Sequence, residues 1–243
     1  MKKIEEQSEM NKVGKTKTLV VFIGTIFLGY VLFIIPDVFF GVTKINGGKI
    51  GINLLFIGLF QFITVTALLY FSLKILKKKF RDIGLRFENL VKDILLGTVF
   101  GGVWAMLQFA FIIPNTGGAN RLDINGMLEM YDGSLVGTIS FVALGVIGGG
   151  ITEEIFNRGY FINVLKEIFK NPKTGLWFSA VLSILLFALG HMPVNTLDWF
   201  DILVPTILYT ILFIWTKRLT ASMVAHGVYN ASAIILTYSI YFH

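Results

Sequence analysis

The sequence contains no cysteine, only five prolines and three histidines, and charged residues make up just 15% of it. The absence of cysteine excludes disulfides, thiolate metal sites and a cysteine nucleophile, and it leaves any metal to be held by His, Asp or Glu. So few charges cannot clothe a soluble domain of this size. No internal repeat is present, and no low-complexity segment beyond the polar N-terminus.

What fills the chain instead is apolar. Of 243 residues, 55% are hydrophobic and 14% aromatic, with 23 phenylalanines and a mean hydropathy of +0.74. One aqueous core does not need that much apolar surface, so most of it must face lipid or neighbouring helices. The expected fold is all-α, a polytopic transmembrane helical bundle of about seven to eight spans. Residues 1–18 read as a polar cytoplasmic tail and 19–243 as a single membrane domain. Apolar runs cover 19–42, 50–76, 93–113, 135–168, 177–190, 202–216 and 221–241. The first is too long for a signal-peptide core and no small-x-small cleavage site follows it, so it reads as a retained anchor.

An eighth span depends on the stretch from Leu135 to Lys170. As one α-helix it would run about 54 Å, against roughly 40 to 45 Å for a whole bilayer, so a break is expected at Gly148-Gly149-Gly150. With seven spans and the N-terminus inside, all of the 21 basic residues except Lys44, Lys49 and Arg121 fall on the inner side. The positive-inside rule accounts for that distribution and for the net charge of +6. The basic residues lie between apolar runs, so no nucleic acid partner is expected; the lipid bilayer is the partner they imply.

One apolar stretch is chemically out of place. Glu153, Glu154 and Arg158 fall within six residues of each other, and each ion at mid-bilayer costs roughly 3 kcal/mol or more unless it is paired or hydrated. Glu154 and Arg158, four apart, can neutralise each other on one helix face. Glu153 points about 100° away and is left over; in a partly dry pocket its raised proton affinity suits a general base. The structural alternative is a helix end anchored among headgroups. His226 and Asn230, also four apart, can aim two donors at one point, as an oxyanion requires, or can simply make an interhelical hydrogen bond. His191 follows an apolar run and reads equally as an interfacial helix end. Pro172 marks a turn midway between Glu153 and His191, so a helical hairpin brings those two to similar depth.

Taken together, Glu153-Glu154-xxx-Arg158, Phe187-xxx-His191 and His226-xxx-Asn230 resemble the EExxxR, FxxxH and HxxxN motifs of the CAAX protease and bacteriocin-processing (CPBP, Abi) family, in the family's order. Gly159-Tyr160 after the arginine and Ile83-Gly84-Leu85-Arg86 upstream add to the likeness, which covers about 83–243. Asn157 departs from it, standing where an aromatic residue is common. The resemblance implies an intramembrane glutamate-dependent endopeptidase in which Glu153 and His191 activate water, His226 and Asn230 hold the oxyanion, and Glu154 and Arg158 shape the pocket. The implied partner is a peptide or membrane-protein substrate, and the implied place a bacterial plasma membrane.

The family is also described as metal-dependent, and Glu153, His191 and His226 offer zinc donors. The expectation here is no cofactor, because zinc would consume the base and the oxyanion donors, with no further Asp, Glu or His evident in the apolar portion. Two other classes compete. A non-catalytic immunity or scaffold protein of the same fold would survive loss of Glu153. A proton-coupled transporter predicts paired halves with broken helices, and no such symmetry is visible.

Overall fold

The computed structural model describes residues 13–242. The greater part of the tail expected at 1–18 therefore lies outside the described residues, and the first helix already begins at Lys15. Eight helices follow in chain order: α1 Lys15–Thr43, α2 Asn53–Ile75, α3 Leu90–Asn115, α4 Leu122–Leu128, α5 Leu135–Ile168, α6 Pro172–Gly190, α7 Thr196–Thr216 and α8 Leu219–Tyr241. All but α4 are long and apolar enough to cross a membrane, which makes seven spans.

Polarity is distributed inside out. Phe27, Ile63, Val91 and Trp215 are more than half exposed on the outer faces, while Glu154, Arg158, Asn157, Ser179 and Thr210 are buried. A bundle dissolved in lipid gains nothing from hiding apolar side chains, so its interior is held by small residues and paired polar groups. The α3–α8 seam shows this: a Cβ at Gly97 or Gly101 would lie 2.6 or 2.3 Å from the carbonyls of Ala221 and Ala225. At the seam's end the buried Asp93 accepts from Arg218 at 2.5 and 2.7 Å and from the hydroxyl of Thr220.

Helix ends follow their local sequence. Ser134 caps α5 by accepting from the Gly137 N–H, and Asn171 caps α6 through Lys173 and Thr174, with Pro172 in the first turn. Asn195 caps α7 by accepting from the Asp198 N–H. The Ile83-Gly84 segment locks neighbouring helix ends together: Ile83 O accepts from Asn163, and Gly84 O from the Leu219 N–H at 2.8 Å.

The break expected at Gly148-Gly149-Gly150 does not occur. Residues 135–168 form one continuous helix, and the excess length is absorbed by winding, because Leu144–Ile162 is π-helical. Each π turn holds more residues and so advances less per residue; such turns are uncommon outside single bulges and concentrate at functional sites. Thr152 matches this winding, its hydroxyl donating to Ile147 O five residues back at 2.6 Å. The glycines serve close approach instead. A Cβ at Gly150 would lie 2.8 Å from Gly227 Cα of α8, and one at Gly149 would lie 2.5 Å from Asn230 Nδ2.

Candidate active site

The π-helical stretch of α5 presents its two adjacent carboxylates to different surroundings. Glu154 is fully buried, and its Oε1 lies 3.0 Å from Arg158 Nη1 and 3.0 Å from His226 Nδ1. The Arg158 guanidinium is in turn held over the Phe187 ring at 4.5 Å, a cation–π contact from α6. Both motif histidines lie near that ring: His191 is tilted against it at 4.4 Å and His226 meets it edge-on at 6.3 Å. Arg158, Glu154 and His226 thus form a buried chain joining α5 to α8, with Phe187 as its lid.

Glu153 is outside that chain. Its side chain is 23% exposed, and its Oε2 sits 3.9 Å from His226 Nε2, the imidazole nitrogen that Glu154 does not engage. It lines a cavity of about 550 Å³ bounded by α1 and α6, which Tyr30, Asp37, Asn157 and His191 also line. A second cavity of about 460 Å³ lies against α7 and α8, lined by Tyr209, His226 and Asn230 among others. Phe187 and His191 border both, so the FxxxH turn is the partition between them.

Hydrogen bonds fix which ring nitrogens remain available. His191 Nδ1 lies 2.9 Å from the Phe187 carbonyl, which only accepts, so Nδ1 is the donor there and Nε2 is left outside that bond. His226 Nδ1 is likewise committed to the Glu154 carboxylate. Asn230 donates one amide hydrogen to Gly145 O at 2.9 Å and retains the other. Tyr209 stacks on the His226 ring at 4.9 Å and fixes its plane.

Residues 135–232 match the family model described as type II CAAX prenyl endopeptidase Rce1-like. The resemblance to the CAAX proteases is borne out over this segment. It contains all seven motif residues and indicates a protease. The chain is also 26% identical over 153 residues to the UPF0177 protein YbdI of Lactococcus lactis subsp. lactis (strain IL1403), an overlap covering 62% of this chain and 77% of that protein. No solved structure matches it.

Within the Rce1-like segment the six expected residues come together as two groups. Glu153, Glu154, Arg158 and His226 are linked through direct approaches, while His191 and Asn230 join by lining the shared cavities. His191 does end its helix and is exposed, as an interfacial histidine would be, yet its ring borders the cavity that holds Glu153. Among the described residues no three His, Asp or Glu side chains form a group that could hold a metal ion.

The structure also supplies residues that motif spacing did not reveal. Asp37 of α1, in an apolar run where no further acid was evident, lines the Glu153 cavity and pairs with Lys49 at 3.3 Å. Gln61 of α2 braces it, donating to Phe33 O at 3.0 Å and to Asp37 at 3.4 Å. The hydroxyls of Tyr30 and Tyr209, Asn157 Oδ1 and Glu154 Oε2 are buried without a hydrogen-bond partner, all around the site. An aspartate within a hydrophobic span is itself a signal that could have pointed to Asp37. The tyrosines carry no such mark, since tyrosine is ordinary in membrane helices.

Proposed function

We propose that this protein is an intramembrane glutamate-dependent endopeptidase that hydrolyses a peptide bond of a membrane-associated protein or peptide with activated water. The observation that carries this reading is the division of labour between neighbouring carboxylates. Glu154 is buried and consumed by Arg158 and His226, whereas Glu153 reaches a cavity it shares with His191 and stays 3.9 Å from His226 Nε2.

The chemistry follows from those positions. A water between Glu153 and His191 gives up a proton to one of these bases and attacks the substrate carbonyl carbon; the carbonyl π electrons move to oxygen, forming the tetrahedral oxyanion. His226 Nε2–H and the second amide hydrogen of Asn230 donate to that oxygen. The His226 role requires protons on both ring nitrogens; in that state His226, Arg158, Glu153 and Glu154 sum to no net charge before water is activated. Collapse of the intermediate expels the amine, which takes up the proton held by the base. No step passes through a metal or other cofactor.

The tail side is assigned to the cytoplasm on the distribution of lysine and arginine. The membrane is proposed to be a bacterial plasma membrane, in line with the lactococcal relative. The test is a comparison of peptides in membranes carrying intact protein or Glu153→Gln at equal abundance. A peptide present cut in the first and uncut in the second supports the reading. An unchanged peptide profile, with the cellular phenotype intact, favours a non-catalytic immunity or scaffold protein instead.

A further inference from the structure

The two cavities that meet at His191 differ in chemistry, and the difference describes what lies on either side of the bond to be cut. The larger runs along α1 and α6. Apart from Glu153, its only charged wall residues among those described are Asp37 and Lys49, which neutralise each other at 3.3 Å; the remainder is chiefly apolar and aromatic, including Phe33, Ile34 and Val38. Ile34 and Val38 are also more than half exposed, so this wall is continuous with the lipid-facing side of α1.

The smaller cavity is acidic. Asp123, Asp198 and Asp201 line it and, among the described residues, no lysine or arginine does. Arg121 behind it pairs with both Asp123, at 2.7 Å, and Asp201, so one cation offsets three carboxylates. Asp123 remains 44% exposed, and Asp198 holds the Val194 N–H through one oxygen only. A second feature points to an occupant: Tyr209, 2% exposed, is on this lining and its hydroxyl has no hydrogen-bond partner. A buried hydroxyl in that state is unfavourable, and a bound polar group relieves it.

Resting on the peptidase reading above, we infer that the substrate is a membrane-anchored peptide whose apolar segment enters between α1 and α6 and whose lysine- or arginine-rich flank occupies the acidic vestibule, so that cleavage falls at the boundary between the two. The apolar half suits a segment arriving from lipid. The vestibule, beside the α6–α7 turn and the short helix α4, suits a basic flank through its surplus of carboxylates. Because Asp123 is solvent-exposed, its contribution is screened by salt, whereas the preference for an apolar block is not.

The test separates binding from cleavage. Intact protein in nanodiscs is titrated with two labelled peptides, a Leu/Ala block flanked at both ends by lysines and the same block flanked by glutamates. The lysine peptide should bind about tenfold more tightly at low salt, the ratio shrinking as salt rises. In Asp123→Asn/Asp198→Asn the ratio should fall toward one, and in Glu153→Gln it should persist. Equal binding of the two peptides, no binding of either, or a lysine preference that survives in the double variant overturns the inference. If the double variant does not fold, the two-peptide ratio on intact protein and its salt dependence decide. Cleavage is scored separately: selective binding without cutting defeats the peptidase reading and leaves the vestibule standing, while cutting with no charge preference does the reverse.

Discussion

Glu154 Oε1 and His226 Nδ1 lie 3.0 Å apart across the α5–α8 interface, and the same oxygen also meets Arg158 at 3.0 Å. One buried carboxylate oxygen therefore aligns a guanidinium on its own helix and an imidazole on another. The consequence is a division between residues that hold the site together and residues that face its cavities.

That division predicts opposite effects on stability. Arg158→Leu removes one of the two partners of the buried Glu154 carboxylate and should cost about 3–5 kcal/mol of stability. Glu153→Gln changes a partly exposed group outside the chain of pairs and should change stability by about 0.5 kcal/mol or less. Unfolding of both variants in detergent, followed by circular dichroism, checks the contrast.

The glycine run makes a second prediction. Gly150→Ala places a methyl group 2.8 Å from Gly227 Cα, backbone that cannot yield, and should destabilise the protein by about 1–3 kcal/mol. Gly102→Ala, with nothing within 4 Å of its Cβ, should be neutral or stabilising by up to about 1 kcal/mol. The same unfolding assay compares them.

Orientation is directly measurable because the chain has no cysteine of its own. A single cysteine at Gly126, in α4, should react with an impermeant maleimide in intact cells. One at Lys77, at the end of α2, should react only after the membrane is opened. The reverse pattern contradicts the cytoplasmic assignment of the tail.

Asp132, in the turn before α5, gives a pH prediction. Its carboxylate accepts from the Ser134 N–H at 2.9 Å and the Ser134 hydroxyl at 2.8 Å, and these bonds hold its pKa below the ordinary aspartate value. A depressed folded-state pKa contributes stability that is present above the unfolded value, near 3.9, and is lost as pH falls through the folded value. Asp132→Asn should therefore lower stability in the neutral region and flatten the acid limb, the variant and the intact protein converging at low pH, as acid titrations of unfolding would show.

Much of this was legible in the sequence, for identifiable reasons. The seven spans could be read because lipid demands long uninterrupted apolar runs, and the Glu154–Arg158 pair because spacing of four puts two side chains on one face. The pair forms at 3.0 Å even though the helix there is π-wound. The winding itself was hidden, since a glycine run signals either a break or a close approach, and only the partner helix decides which. Gln61 was hidden for a related reason: it reaches the site from α2, upstream of every motif, and nothing in its local spacing marks it, whereas Asp37 is marked only as an acid within an apolar run.

The most direct test of the account is hydrolysis in ¹⁸O-labelled water. Purified protein in nanodiscs is incubated with the lysine-flanked peptide or with a substrate identified from membranes, and products are read by mass spectrometry. The account predicts a new C-terminus carrying one ¹⁸O atom, formed at least about 10²-fold more slowly by Glu153→Gln at unchanged stability. Cleavage by Glu153→Gln at the intact rate would contradict it.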